Sequence, residues 1–242
     1  MRRVLVTDDN LPFAENLAEI LADAGYEVVI ATSGEEALRQ VHQSSFDVML
    51  SDMRMPEMGG AELVHHVRRI DPGLPAVVIT AFTRDNDLAL ARHEGLLAIL
   101  PKPVPIPALV ALVASARRDG VVALVEDDRK LLDNLTEALN DRGFAAVTAS
   151  TVLETTRLGA VAPFAALVDL RVPGGPDGAA LRALLARYPG IPTVVMTAHA
   201  HGPVLAEQDQ VFEKPFKTAD LLNAVEAIYS QHRARRLGER HS

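Results

Sequence analysis

The sequence predicts an α/β fold made of two five-stranded parallel sheets in tandem, each doubly wound with helices on both faces. Three observations lead to this prediction. The chain repeats itself at an offset of 118 residues. In each half, short apolar runs alternate with segments of helical periodicity, as expected for βαβ units. The apolar runs end abruptly in acidic or polar residues, and this places polar groups at one edge of each predicted sheet.

The first predicted strand of each half is a short aliphatic run followed by acids. These acids are Asp8 and Asp9 in the first half and Glu126 and Asp127 in the second. Asp128 extends the second acidic run, so this pair could also be placed one residue later, although matching the apolar strands favours Glu126 and Asp127. Asp9 and Asn10 precede Pro12 and are candidate caps for the helix that follows. Helical periodicity then runs to a glycine, Gly25 in the first half, which is a typical helix stop.

Three more polar positions recur at the ends of the later apolar runs. The third run ends in an acid and leads into a turn with Pro and Gly, the fourth ends in Thr-Ala, and the fifth leads into Lys-Pro. The residues at these positions are Asp52, Thr80 and Lys102 in the first half and Asp169, Thr197 and Lys214 in the second. Because parallel strands of a doubly wound sheet end at the same edge, each half is expected to gather these side chains in one crevice.

Composition limits the classes of protein that the chain can be. Its 242 residues carry a formal net charge of −8 and neither half is basic, which argues against nucleic acid as a partner. No apolar run reaches membrane-spanning length, and the acids after the first strand exclude a signal peptide. The chain has no cysteine, which fits a reducing compartment. We therefore expect a cytoplasmic protein without nucleic-acid or membrane partners.

Three carboxylates at one edge of a sheet predict a shared cation. Brought together, the carboxylates would repel one another unless a positive ion lies among them. Since the candidate ligands are all oxygens, Mg²⁺ is the expected ion. A carboxylate held in this way can attack phosphorus and form an acyl phosphate. A Lys ammonium and a Thr hydroxyl nearby would then serve as donors to the phosphoryl oxygens.

Together these motifs resemble the receiver domains of bacterial two-component response regulators, and the resemblance covers both halves. The matching motifs are Asp8-Asp9, Asp52-Met53-Arg54-Met55-Pro56, Thr80-Ala81 and Lys102-Pro103. The resemblance implies the flavodoxin-like receiver fold, with Asp52 and Asp169 as phosphoacceptors. It implies that the phosphoryl group is bound by Thr80 and Lys102, and in the second half by Thr197 and Lys214. The implied Mg²⁺ ligands are Asp8, Asp9, Asp52 and the main-chain carbonyl of Arg54, and correspondingly Glu126, Asp127, Asp169 and the main-chain carbonyl of Arg171.

By this resemblance the chain is a phosphorelay response regulator that accepts phosphoryl from a phosphohistidine of a sensor histidine kinase or a histidine phosphotransfer protein. It is a signalling protein rather than an enzyme, although receivers catalyse their own phosphorylation and dephosphorylation. The expected domains are residues 1–118 and 119–230, followed at 231–242 by a short, basic, frayed tail. That tail is too short for an output domain, so signalling is expected through protein–protein contact, with a homodimer left open, or by acting as a phosphate sink.

Two alternatives stay open at this point. The chain could be a tandem receiver fragment of a larger hybrid histidine kinase or multidomain regulator. More remotely, it could be an aspartyl-phosphate phosphatase on a similar sheet. Such an enzyme commonly needs a second Asp two residues after its nucleophile as general acid. Arg54 and Arg171 occupy those positions, and a guanidinium does not donate a proton at neutral pH.

The second half departs from the first in two places. One residue is inserted between Asp169 and the glycine that opens the next helix. The separation from Thr to Lys is 22 residues in the first half and 17 in the second, with Gly and Pro at 202–203. We therefore expect the helix before the last strand of the second half to be short, displaced or absent. On this hypothesis the second receiver has lost its usual output surface.

Overall fold

The computed structural model describes residues 1–81, 95–158, 162–198 and 210–239. The first sheet contains β1 (Arg3–Thr7), β2 (Glu27–Ala31), β3 (Val48–Asp52), β4 (Ala76–Thr80) and β5 (Ala98–Pro101). The second contains β6 (Val121–Val125), β7 (Ala145–Ala149), β8 (Ala165–Asp169), β9 (Thr193–Thr197) and β10 (Gln210–Glu213). The strand orders, β2-β1-β3-β4-β5 and β7-β6-β8-β9-β10, are equivalent. The predicted fold class, two five-stranded parallel sheets in tandem, is confirmed.

Helices connect the strands in both units. Those described in the first unit are α1 (Leu11–Asp23), α2 (Gly34–Gln43), α3 (Gly60–Ile70) and α4 (Ile106–Ser115). Those described in the second are α5 (Arg129–Asp141), α6 (Val152–Thr156), α7 (Ala179–Arg187) and α8 (Thr218–Glu239). The end signals of α1 act as predicted: Asn10 Oδ1 accepts a hydrogen bond from the Phe13 N–H at 3.1 Å. Gly25 follows the helix with φ +90°, a left-handed conformation that glycine adopts without strain.

The three central strands of the first sheet, β1, β3 and β4, are buried on both faces. On one face Leu5, Met49 and Val78 belong to a core cluster that includes residues of α2 and α3. On the other face Val4 and Leu50 belong to a cluster that includes residues of α1 and α4. Because neighbouring side chains alternate between these two clusters, a shift of one residue would exchange the faces of a strand. The register therefore determines which polar residues stand at the carboxyl edge.

The first compact unit comprises Met1–Asp119 together with Asn140–Ala145, and the second begins at Gly120. At the other end, the frayed tail expected from residue 231 onward is wrong for residues 231–239, because α8 continues to Glu239. The ring of Phe164, just before β8, lies 5.2 Å from that of Tyr229 and 5.8 Å from that of His232, so α8 is packed at the point where it was expected to fray. The basic side chains at 233, 235 and 236 are exposed, as expected for solvated groups.

The altered helix before the last strand of the second unit involves residues 199–209, which lie outside the described residues. Among the helices that are described, none combines the length and the apolar character needed to cross a membrane.

Candidate functional site

In the first unit, acidic and cationic side chains meet at the carboxyl edge of the sheet. Asp8 follows β1, Asp52 ends β3, Thr80 ends β4 and Lys102 follows β5. The Lys102 Nζ atom lies 2.8 Å from Asp8 Oδ2 and 2.7 Å from Asp52 Oδ1. The two acids and Thr80 are buried, whereas the Lys102 side chain is 26% exposed. The lysine thus bridges two buried carboxylates while its side chain still reaches solvent.

The second unit reproduces this arrangement with Glu in place of the first Asp. The Lys214 Nζ atom lies 2.7 Å from Glu126 Oε2 and 2.6 Å from Asp169 Oδ2. Glu126, Asp169 and Thr197 are buried. The longer glutamate side chain therefore reaches the lysine as Asp8 does, and the site closes despite the shorter separation between Thr197 and Lys214.

The carboxylates keep both lysines positively charged. Burial alone lowers the pKa of Lys102, but its hydrogen bonds to Asp52 and Asp8 outweigh that effect, and the pKa lies above its ordinary value. The pKa of Lys214 is raised in the same way by Asp169 and Glu126, against burial. Burial also raises the pKa of Glu126, in opposition to its hydrogen bond with Lys214. Each site therefore holds an ammonium group at neutral pH, a suitable donor to an incoming anion.

In Asp52 and Asp169, the carboxylate oxygen that does not contact the lysine accepts a hydrogen bond from the loop that follows. The Arg54 N–H donates to Asp52 Oδ2 at 2.9 Å, and the Arg171 N–H donates to Asp169 Oδ1 at the same distance. Each acidic side chain at the end of the third strand is therefore fixed at both oxygens, one by a lysine and one by a main-chain amide.

The residue inserted in the second unit does not open this loop. The Gly60 N–H donates to the Met53 carbonyl at 2.9 Å, and the Gly178 N–H donates to the Leu170 carbonyl at 2.8 Å. Met53 directly follows Asp52 and Leu170 directly follows Asp169, so an equivalent hydrogen bond closes both loops although they differ in length by one residue. Gly60 lies so close to the acceptor strand that an added Cβ would stand 2.3 Å from the Asp52 carbonyl oxygen. Only glycine allows this approach without a shift of the backbone.

The acids of the second unit are grouped closely enough to hold a metal ion. Glu126, Asp127 and Asp169 each offer an oxygen within 4.8 Å of the others, and this is the one such grouping found among the described residues. In the first unit Asp8 and Asp52 meet at Lys102, while Asp9 is exposed. The oxygen-only ligand set of the second unit fits a hard divalent cation.

Sequence reasoning did not predict that the residues just before α1 and α5 also support these acids. The Asn10 N–H donates to Asp8 Oδ1 at 2.9 Å, and the Asp128 N–H donates to Glu126 Oε1 at 3.2 Å. Asp128 also caps α5 by accepting from the Lys130 and Leu131 N–H groups. Asp128 thus stands where Asn10 stands, which the 118-residue repeat could have indicated. The Phe13 ring, which lies against Lys102, was also missed.

This strand order, with acids, a threonine and a lysine at the carboxyl ends of the strands, defines the receiver class of α/β domains. The chain belongs to the response regulator receiver family. The family profile described as the response regulator receiver domain matches residues 4–114. A response regulator receiver protein of Anaeromyxobacter sp. (strain Fw109-5) is 60% identical over 231 residues, which cover 96% of this chain and 97% of that protein. This membership disfavours the phosphatase alternative.

Other similar proteins match only about half of this chain. The transcriptional regulatory protein GlrR of Escherichia coli (strain K12) is 33% identical over 129 residues, 53% of this chain and 29% of that protein. Among solved structures, a response regulator receiver domain protein from Clostridium thermocellum is 29% identical, with 47% of this chain and 92% of that chain covered and a TM-score of 0.45. The Vibrio cholerae chemotaxis protein CheY4 is 34% identical, with coverages of 46% and 93% and a TM-score of 0.43.

Proposed function

We propose that this response regulator carries two phosphoacceptor sites, one at Asp52 and one at Asp169. The observation that supports this most directly is the position of the two lysines. Each ammonium lies within 2.8 Å of a buried acceptor carboxylate and is held there by a second acid. An ammonium group placed in this way needs little movement to reach the oxygens of a phosphoryl group that is bonded to that carboxylate.

In the proposed reaction, a carboxylate oxygen of Asp52 attacks the phosphorus of a phosphohistidine on a sensor histidine kinase or a histidine phosphotransfer protein. The O–P bond forms as the P–N bond breaks, and the electron pair of that bond returns to the imidazole nitrogen. Lys102 then moves from the carboxylate to a phosphoryl oxygen, and the Thr80 hydroxyl donates to another. Asp169, Lys214 and Thr197 do the same in the second unit. Hydrolysis of the acyl phosphate returns phosphate and the free carboxylate.

Mg²⁺ is the proposed cofactor, held by Asp8, Asp9 and Asp52 and by Glu126, Asp127 and Asp169, with the main-chain carbonyls of Arg54 and Arg171. Bound there, it would neutralise charge on the transferred phosphoryl group. The grouping of the three acids of the second unit supports this assignment. We assign the receiver domains to residues 1–118 and 119–230. We further propose that the chain signals through protein–protein contact, as a monomer or a homodimer, or acts as a phosphate sink. A cytoplasmic location stays a prediction, and so does the alternative that the chain is part of a longer regulator.

The test is mass mapping of phosphorylated residues after treatment of the chain with acetyl phosphate and Mg²⁺. We expect label on Asp52 and Asp169, loss of each label in Asp52→Asn or Asp169→Asn alone, and no label in the double variant or in excess chelator. Label that persists in the double variant would show that the acceptors lie elsewhere in the chain.

A further inference from the structure

The ammonium group of Lys102 touches an aromatic ring as well as two carboxylates. Its Nζ atom lies 4.4 Å from the centroid of the Phe13 ring, a cation–π contact. Phe13 is in the first turn of α1 and is half-buried. A cation in this position is attracted by the negative face of the ring, and partial burial strengthens the attraction.

A closed series of contacts fixes the ring relative to the site. Lys102 Nζ contacts Asp8 Oδ2, and the other oxygen of Asp8 accepts from the Asn10 N–H. The Asn10 side chain in turn accepts from the Phe13 N–H at 3.1 Å, and the Phe13 ring returns to Lys102. The helix cap therefore sets the position of the ring at the same time as the acid sets the position of the ammonium group.

The second unit has the same series of contacts without a ring at its end. Lys214 contacts Glu126, the Asp128 N–H donates to Glu126, and Asp128 Oδ1 accepts from the Leu131 N–H at 3.2 Å. Leu131 stands 118 residues after Phe13, the offset of the repeat. Its aliphatic side chain offers no negative face to a cation. The chain thus contains a natural comparison between a site with the ring and a site without it.

We propose that Phe13 is a positioning residue for phosphoryl transfer to Asp52, an inference that rests on the proposed function. When Asp52 becomes an acyl phosphate, Lys102 must leave Asp52 Oδ1 and meet the phosphoryl oxygens. Its contact with the ring does not depend on the charge of Asp52, so Phe13 confines the ammonium group to the site during that move. Among the described residues no aromatic ring lies over Lys214 in this way, and we expect the two acceptors to respond differently to phosphodonor for this reason.

The experiment compares the full-length wild-type chain with Phe13→Leu, which copies the second unit, and with Phe13→Tyr, which keeps the ring. Labelling of Asp52 by acetyl phosphate is followed at saturating Mg²⁺. We expect Phe13→Leu to lower the maximal labelling rate about fivefold, equivalent to about 1 kcal/mol, with little change in the half-saturating donor concentration. Phe13→Tyr should retain the wild-type rate. The labelling rate of Asp169 in the same molecules is the internal control and should not change.

NMR spectroscopy reports the contact between Lys102 and Phe13 without a labelling reaction. Because Lys102 Nζ lies 4.4 Å from the ring centroid, we expect the NMR resonances of the adjoining Hε protons to be shifted upfield, and Phe13→Leu should abolish the shift. The reciprocal Leu131→Phe should create one at Lys214. An Asp52 rate in Phe13→Leu within twofold of wild type, or Hε resonances that do not move, would overturn the inference while the proposed function stands. If Asp52 is not labelled in the wild-type chain, the proposed function fails, and this inference with it.

Discussion

At the scale of single residues, each site depends on one lysine whose ammonium group pairs with two buried carboxylates. In the second unit Glu126 and Asp169 are 0% and 6% exposed, and both lie within 2.7 Å of Lys214 Nζ. Burying a carboxylate is costly unless it is paired, so the lysine matters for stability as well as for chemistry. A divalent cation among the same acids would meet the same need.

This arrangement predicts that Lys214→Met destabilises the second unit in the absence of Mg²⁺. Removing one partner of a fully buried ion pair costs about 3–5 kcal/mol. Because the Lys214 side chain is 21% exposed, we expect a smaller loss in the free energy of unfolding, about 2 kcal/mol. Mg²⁺ should restore part of that loss, since it takes over neutralisation of the acids. Amide hydrogen exchange in β6 and β8 would measure both effects.

Lys130→Met is the matched control, because Lys130 is exposed and lies in the same unit. It removes the same charge and should change the free energy of unfolding by less than about 0.5 kcal/mol. Equal stability of the two variants without Mg²⁺, or no recovery of Lys214→Met on adding it, would contradict the prediction.

The residues at the strand ends could be predicted from sequence, whereas the contacts of Asn10, Asp128 and Phe13 that support them were not predicted. Asp52 and Lys102 follow apolar runs, and parallel strands bring such ends to one edge whatever the details of packing. The contact of Phe13 with Lys102 depends on the rotation of α1 about its axis, which its pattern of apolar residues fixes only approximately. The role of Asp128 was hidden because three consecutive acids left the register of the pair open.

At the scale of elements, both units begin their second helix with the same reciprocal cap. Before α2, Ser33 Oγ accepts from the Glu36 N–H, and Glu36 Oε2 accepts from the Thr32 N–H at 2.8 Å and its hydroxyl at 2.9 Å. Thr151 and Glu154 repeat this pattern at α6, with Ser150 as the donor to Glu154. Such caps satisfy main-chain amides that a helix leaves unpaired at its start.

The cap of α2 predicts a specific loss of stability at neutral pH. Glu36→Ala removes both hydrogen bonds to Thr32 and should lower the free energy of unfolding by about 1 kcal/mol. Glu35→Ala removes the same charge from the same helical turn but leaves the contacts with Thr32 intact, so it should cost clearly less. Urea unfolding of the two variants measures the difference, and equal losses would mean that helix-end charge, not the cap, is responsible.

The same cap predicts how this contribution varies with pH. The main-chain hydrogen bond from Thr32, with its side-chain hydrogen bond, lowers the pKa of Glu36 below its ordinary value of 4.5, against a small effect of burial. A lowered pKa in the folded state gives stability that is full above the unfolded pKa and is lost as pH falls through the folded pKa. The difference in stability between wild type and Glu36→Ala should therefore shrink on acidification below about pH 4.5. A difference that stays constant down to pH 2 would contradict this.

Helix and strand positions followed from the sequence more closely than the length of the last helix did. The frayed tail was expected because the last ten residues carry a basic cluster. What the sequence pattern did not show is the packing of Phe164 against Tyr229 and His232, residues more than sixty positions away. Two ring contacts across the start of β8 stabilise the adjoining turn, and the helix then continues into solvent.

At the scale of the whole molecule, the end of the first unit is fixed by two residues at the junction. Arg118 donates to both carboxylate oxygens of Asp71, at 2.8 and 2.7 Å, and to the main-chain carbonyl of Phe46. The Asp119 N–H donates to the Gly73 carbonyl at 2.9 Å. These contacts lie within the first compact unit, whose opening stretch ends at Asp119.

This predicts that a fragment of residues 1–119 is more stable than a fragment of residues 1–117. The shorter fragment leaves Asp71 without the Arg118 Nη2 group that donates to both of its oxygens. Charge-assisted hydrogen bonds contribute about 1.5–3 kcal/mol. Because the Arg118 and Asp71 side chains are 29% and 18% exposed, we expect a difference in the free energy of unfolding near the lower end of that range. Urea unfolding of the two fragments measures it. Residues 1–119 with Arg118→Ala should match the shorter fragment. Arg118→Lys keeps the charge but has no second nitrogen for the Phe46 carbonyl, so it should fall between them. If residues 1–119 with Arg118→Ala were as stable as the unaltered fragment, the arginine would have no part in stabilising the end of this unit.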